Sequence, residues 1–141
     1  EAYLNGIAWE YVSQNTSLDG LSKNEQNLIR DSSQVSLRKK IIKYPEIISG
    51  KPLWDDDEPD VKKFLETMKP FRDSLVHPSP FSVTEKFGGY DKLKIIYRLD
   101  LKEAKETAKM VFKLISKIHF HIKGENAEIP KWLDRLQTSI K

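Results

Sequence analysis

The sequence predicts an all-α protein, a helical bundle of four to five helices. Apolar residues recur at three- and four-residue intervals along most of the chain, and helix-capping residues precede several of these stretches. Proline and glycine follow them. Because 141 residues is the length of one domain of ordinary size, we expect a single helical domain over residues 1–141.

The first two helical regions are defined by their apolar spacing and their end signals. Residues 1–15 carry apolar side chains at helical intervals, and Asn15 marks the exit. A second region begins at Ser22, which forms the pattern of a capping box with Glu25, and a break is expected near residues 31–33. Pro45 and then Gly50 are expected to close this region.

Two longer helices and a short tail helix follow. Pro59 suits a first helical turn, and the carboxylates of the acidic loop 55–60 complement the helix dipole, so the third helix should begin at about Pro59. It should run to about Val76. The fourth helix spans residues 100–123, with Asp100 and Glu103 as a capping pair and Gly124 as its end. The tail helix begins at Pro130. In the 81–99 insertion the apolar period is near two, which is compatible with a small strand or β-hairpin.

Composition excludes several classes of function. The chain has no cysteine, which excludes disulfides, thiolate zinc sites and thiol catalysis. No apolar run reaches the roughly 18–20 residues that cross a bilayer, and residues 1–4 do not resemble a secretory signal. Glycine-rich nucleotide motifs and a serine nucleophile elbow are absent from the sequence. We therefore expect a cytoplasmic protein without membrane partners, cofactors or metal.

The fourth helix separates an apolar face from a basic one. On a helical wheel, apolar residues share one side: Ala104, Ala108, Val111, Ile115, Ile118 and Ile122. Lysines share the opposite side: Lys102, Lys105, Lys109, Lys113 and Lys117. The functional interpretation is a stripe that contacts an RNA backbone, with Lys102, Lys105, Lys109 and Lys113 as its candidates. The alternative interpretation is a bundle face exposed to solvent, and this is the commoner explanation because lysine stripes occur on many soluble helices.

Two histidines near the end of this helix do not have metal-ligand spacing. His119 and His121 are two residues apart and therefore point to different faces, whereas two ligands on one helix face are three or four apart. The wheel places His121 in the apolar stripe and His119 at its margin. We expect packed or hydrogen-bonded core histidines.

Arg72 stands in the middle of the apolar face of the third helix. That face is formed by residues at helical spacing: Val61, Phe64, Leu65, Met68, Phe71 and Leu75. A guanidinium keeps its proton, so its burial without a partner is costly. His77 precedes Pro78, which disfavours helical backbone in the residue before it, so the helix should end near His77. Arg72 is then a fixed donor, and His77 is a group that titrates near neutrality beside a loop.

Residues 71–78 (Phe-Arg-Asp-Ser-Leu-Val-His-Pro) resemble the signature of the HEPN domains, in which an arginine is separated by four to six residues from a histidine at a helix end. An aromatic-rich first helix, a lysine-bearing second region ending at Gly50, and a long helix after an irregular segment are also similar to the HEPN bundle. The resemblance covers most of the chain.

The resemblance implies a metal-independent endoribonuclease of the toxin or defence kind, assembled as a homodimer with two motifs facing one cleft. His77 would act as general acid or base while a ribose 2′-hydroxyl attacks the adjacent phosphorus, and Arg72 would stabilise the developing charge. The alternative is a non-catalytic dimeric HEPN-like module that binds RNA or a partner such as a nucleotidyltransferase-type antitoxin.

Two acids are candidate supporting polar groups of the predicted site. Asp73 stands where the family often has asparagine or another polar residue, and its carboxylate suits a phosphate site only if it orients Arg72 or His77. Glu10, on the first helix beside Tyr3, is a candidate polar partner of Arg72. An exposed helix acid is the alternative interpretation of Glu10.

Overall fold

Regular secondary structure in the described part of the chain is entirely helical. The computed structural model describes residues 1–55, 58–69 and 100–140. These residues contain six helices, so the all-α prediction is confirmed: α1 Ala2–Gln14, α2 Lys23–Arg30, α3 Leu37–Ser49, α4 Pro59–Lys63, α5 Leu101–Lys123 and α6 Lys131–Ile140. The strand considered for 81–99 lies outside the described residues.

The described residues belong to two units. Residues 1–55 and 117–127 form the first, and residues 58–69, 100–116 and 128–140 form the second. In the first unit α1 contacts both α2 and α3. Its buried apolar side chains come from the loop after α1 and from all four of its helical segments: Leu4, Ile7, Ala8, Leu18, Ile29, Ile41, Tyr44, Ile47 and Ile118. The single-domain expectation for residues 1–141 stays a prediction.

The break predicted near residues 31–33 is confirmed, and side-chain caps produce it. Ser22 and Glu25 form the capping box that starts α2, and the hydrogen bonds from Ser22 lower the pKa of the Glu25 carboxyl. After α2, the Asp31 carboxylate accepts hydrogen bonds from the backbone and hydroxyl of Ser33, which starts the 3₁₀ turn Ser32–Gln34. Ser36 then caps α3 by accepting from the backbone N–H of residue 39.

Pro45 does not close the second helical region, contrary to the sequence expectation. It lies inside α3, which ends at Gly50 with a left-handed φ of 73°. A proline inside a helix cannot donate to the carbonyl four residues earlier, here that of Ile41. The indole Nε1–H of Trp54 donates to this carbonyl over 2.8 Å, so the acceptor freed by Pro45 is satisfied and α3 continues.

We expect Trp54→Phe to lower the free energy of unfolding by about 1–3 kcal/mol, because it leaves the Ile41 carbonyl without its donor. Urea denaturation of the wild type and the variant measures this difference. Trp9→Phe is the matched control, since Trp9 is 74% exposed and its replacement should change stability by no more than about 0.5 kcal/mol. Equal effects of the two substitutions would contradict the role assigned to Trp54.

α4 begins at Pro59 as predicted and continues into a π-helical segment, Phe64–Met68, closed by a hydrogen bond from the Lys69 N–H to the Phe64 carbonyl. Val61 and Met68 are buried, so the described half of the predicted apolar face is an interior face. The predicted continuation of this helix to Val76 lies outside the described residues.

The predicted ends of α5 and the start of α6 are confirmed. Asp100 and Glu103 exchange hydrogen bonds at the start of α5, with the Glu103 N–H donating to the Asp100 carboxylate over 2.7 Å. α5 ends before Gly124, which has a φ of 97°. α6 follows Pro130 and buries Leu133 completely. In the described part of the chain, no helix combines the length and the apolar character needed to cross a membrane.

Candidate functional site

The predicted motif lies beyond the described end of the helix that leads to it. Arg72, Asp73 and His77 are outside the described residues, and their roles stay predictions. The π-helical segment ends at Met68, four residues before Arg72. Segments of this kind occur mostly as single turns within α-helices, and frequently at functional sites.

Glu10 is engaged at the surface of the first unit. Its carboxylate accepts hydrogen bonds from Nζ of Lys123 over 2.7 Å and from Nε2 of Gln14 over 3.4 Å. Burial first and the Glu10 carboxylate second raise the pKa of the Tyr3 hydroxyl to about 12. The described partner of Glu10 is thus a cation of α5, and its predicted contact with Arg72 stays a prediction.

His119 is a hydrogen-bonded core histidine, as expected. Its Nδ1 lies 3.0 Å from the Tyr3 hydroxyl, and its side chain is 7% exposed. The hydroxyl and the ring nitrogen thus share a hydrogen bond in the interior of the first unit. The ring also meets Phe120 edge to face, with centroids 5.6 Å apart. This pair joins α1 to the end of α5.

His121 is half-buried and contacts the end of α3. Its Nε2 lies 2.8 Å from the hydroxyl of Ser49 and 3.0 Å from the carbonyl of Lys51. The hydroxyl in turn donates to the Pro45 carbonyl over 2.7 Å. These contacts satisfy acceptors at the C-terminus of α3 and hold α5 against it.

The order of burial predicted for the two histidines is wrong. His119 is buried, while His121, expected in the apolar stripe, is half-buried. The interior side of α5 is centred on Leu114 and Ile118, which are 5% and 2% exposed, and Ala104 is exposed. The buried face of α5 is therefore rotated about the helix axis from the predicted apolar face toward Leu114. In the described ranges, no group of three or more His, Asp or Glu side chains is placed to hold a metal ion.

A pH dependence of stability follows from Tyr3. Its pKa is about 12 in the folded protein against an ordinary value of 10.0. The folded state holds this proton more tightly than the unfolded chain does. The protonated Tyr3 hydroxyl therefore adds to the free energy of unfolding in full below pH 10, and this contribution is lost as the pH rises through 12. We expect the free energy of unfolding, measured with urea, to fall between pH 9.5 and pH 11, and to fall less in Tyr3→Phe. Equal slopes in the two proteins would contradict the assignment. The remaining slope includes Tyr44, whose pKa is also raised by burial.

The lysines of α5 are exposed, and two of the four candidates are paired with acids. Nζ of Lys109 lies 3.3 Å from the Glu106 carboxylate, and Nζ of Lys113 lies 2.5 Å from that of Asp60. The hydrogen bond to Asp60 and its charge raise the pKa of Lys113. In the described part of the chain no ion pair involves Lys102 or Lys105. Exposure of the basic face is confirmed, and RNA contact stays a prediction. The fifth lysine of the face, Lys117, belongs to the first unit and stacks over the Trp54 ring at 4.6 Å.

The chain was compared with models of protein families, with curated proteins and with solved structures, and nothing matches it in any of the three. The candidate site therefore rests on its own residues.

Proposed function

We propose that the protein is a metal-independent endoribonuclease of the toxin or defence type, acting as a homodimer of HEPN-like chains. The observation that carries the proposal is Arg72 within the apolar stripe of the third predicted helix, with His77 immediately before Pro78. Burial of Val61 and Met68 supports it, because the stripe in which Arg72 stands begins as an interior face.

The proposed reaction is an internal transesterification of RNA. The ribose 2′-oxygen forms a bond to the adjacent phosphorus and gives up its proton, and the bond to the 5′-oxygen breaks as that oxygen gains a proton. His77 is the general acid or base, and Arg72 stabilises the negative charge on the phosphoryl oxygens. The products are a 2′,3′-cyclic phosphate and a 5′-hydroxyl. Since DNA has no 2′-hydroxyl, the reaction is restricted to RNA.

Two acidic residues beside the α5 lysines indicate that these lysines bind an RNA phosphate backbone weakly. Glu106 and Asp60 offset part of the charge of Lys109 and Lys113. Of the four candidate lysines, Lys102 and Lys105 are the two for which the described residues show no ion pair. Phosphate contacts made by exposed lysines are strongly weakened by salt. We therefore place substrate positioning mainly on Arg72 and treat the α5 lysines as a secondary binding surface.

The test is cleavage of single-stranded RNA by purified protein in EDTA, with Arg72→Ala measured beside Arg38→Ala. We expect Arg72→Ala to lower the rate by about 10²–10³, the range found when a donor to a developing anion is removed. Arg38 is an exposed arginine of α3 and serves as the matched control, with an unchanged rate expected. Loss of cleavage in EDTA, or equal rates in the two variants, would contradict the proposal.

Asp73 favours a second candidate, a non-catalytic dimeric module that binds RNA or an antitoxin-type partner. Its carboxylate follows Arg72 directly and opposes the binding of a phosphate. Under this candidate, His77→Ala and the wild type behave alike, and neither cleaves RNA.

A further inference from the structure

A groove of about 610 Å³ is formed by α2, the 3₁₀ turn and the first turn of α3. Its volume lies within the range of small-ligand sites. All the lining residues fall between positions 24 and 39 and so belong to the first unit. None of them is part of the predicted Arg72–His77 site.

Three side-chain amides line this groove, those of Asn24, Asn27 and Gln34. Asn24, Asn27 and the apolar Leu28 are spaced three and four residues apart and therefore share one face of α2. All three amide residues are exposed, and no hydrogen bond described for the chain uses their side chains. Each amide carries both donors and an acceptor, which is the chemistry that recognises the edge of a nucleobase.

The amide face is held in place from its other side. Gln26 donates to the carbonyls of Leu18 and Leu21 over 3.1 and 3.0 Å. The hydroxyl of the fully buried Tyr44 donates to the Leu28 carbonyl over 3.0 Å. α2 is thus fixed to the preceding loop and to α3, and the groove exists before a ligand arrives.

Arg30 and Lys39 add positive charge to the groove. In the described residues neither forms an ion pair, whereas Lys43, one turn further along α3, pairs with Glu46 at 2.8 Å. The one acid of the lining, Asp31, accepts hydrogen bonds from the N–H and hydroxyl of Ser33. Two cations against one carboxylate leave an excess of one positive charge, which suits a phosphate.

We propose that this groove binds a nucleotide unit of single-stranded RNA. The amides of α2 hydrogen-bond the base edge, Leu28 and Val35 provide apolar contact with the base, and Arg30 and Lys39 contact the phosphate. Because asparagine and glutamine form paired hydrogen bonds with adenine, the groove prefers adenine over uracil. The choice of RNA as ligand rests on the proposed function, but the binding needs neither Arg72 nor His77.

The experiment measures fluorescence anisotropy of labelled 2′-O-methyl oligoadenylate and oligouridylate with the full chain. These oligomers lack the attacking hydroxyl, so nuclease activity does not affect the result. We expect Asn24→Ala/Asn27→Ala to weaken oligoadenylate binding by at least about fivefold and to reduce the preference for adenine. Alanine favours a helix more than asparagine does, so this variant keeps α2 folded.

Arg30→Ala/Lys39→Ala should weaken binding of both oligomers and lower the slope of log affinity against log salt by about 0.7 for each phosphate that is no longer neutralised. The matched control is Lys43→Ala, which removes an exposed lysine from the same helix outside the groove and should leave binding unchanged. Groove variants that bind like Lys43→Ala would overturn the proposal.

Free nucleotide and RNA share this chemistry, so ATP and inorganic phosphate are tested as competitors. Displacement of the oligomer by ATP only at far higher concentration supports an RNA site. ATP binding that the groove variants weaken, with no oligomer binding, would overturn the assignment to RNA. Binding that survives in a protein inactive toward RNA leaves the groove proposal standing and overturns the nuclease proposal, so the two failures are distinguishable.

Discussion

The His77→Ala variant should lose RNA cleavage by a factor of about 10²–10⁴ while keeping the helical fold. This range is the usual contribution of one positioned general acid or base. The effect should appear in the rate at saturating RNA, since His77 acts in the chemical step and adds little to binding. Initial rates on a single-stranded RNA, measured in EDTA for both proteins, give the factor directly.

Two controls separate a catalytic role of His77 from a structural one. Circular dichroism and the urea midpoint of His77→Ala should match those of the wild type. His121→Ala provides the comparison among histidines, because His121 contacts Ser49 and the Lys51 carbonyl in the first unit. It should lower stability and leave the cleavage rate of the folded protein unchanged. An active His77→Ala would contradict the assignment.

Ile118→Ala should lower the free energy of unfolding by about 2–5 kcal/mol, the range for truncating a buried isoleucine. Ile118 is 2% exposed and lies one residue before the buried His119. The loss of stability has two parts: the free energy gained by burying the removed carbon atoms is lost, and the cavity left in their place costs further free energy. Urea denaturation followed by circular dichroism measures it.

Leu101→Ala is the matched control for Ile118→Ala. Both substitutions truncate an aliphatic side chain of α5, but Leu101 is 74% exposed. We expect Leu101→Ala to change stability by less than about 0.5 kcal/mol. A destabilisation of less than about 1 kcal/mol in Ile118→Ala would show that the end of α5 is not part of the core.

Local signals in the sequence predicted most helix boundaries correctly. Ser22 with Glu25, and Asp100 with Glu103, are capping pairs that act within one turn, so neighbouring residues determine them. Gly124 ends α5 because its backbone takes a left-handed conformation that favours glycine. These features need no knowledge of the tertiary fold.

Features that depend on distant residues could not be predicted in the same way. Local signals predict that Pro45 ends a helix, and it does not, because Trp54, nine residues later, satisfies the carbonyl that the proline frees. The Tyr3–His119 pair joins residues 116 positions apart. The pairing of Lys113 with Asp60 also depends on tertiary structure, and it reduces the charge that the wheel assigned to the basic face.

The two candidate sites differ in whether they can be predicted from the sequence alone. Arg72 is visible as a candidate from the sequence alone, because a permanently charged side chain stands in the predicted apolar stripe. The groove residues Asn24, Asn27 and Gln34 present no such conflict, since exposed amides on a helix or turn are ordinary. Their significance comes from the cavity that α2 and α3 form together.

The chemistry of the cleaved ends tests the central claim most directly. Purified wild-type protein is incubated in EDTA with an RNA oligomer, and the masses of the fragments are measured by mass spectrometry. A second oligomer, with 2′-deoxyribose at the cleaved position, is treated in the same way. We predict 2′,3′-cyclic phosphate and 5′-hydroxyl ends from the RNA and no cleavage at the deoxy position. Fragments with 3′-hydroxyl and 5′-phosphate ends, or cleavage that requires a divalent metal ion, would contradict the mechanism assigned to Arg72 and His77.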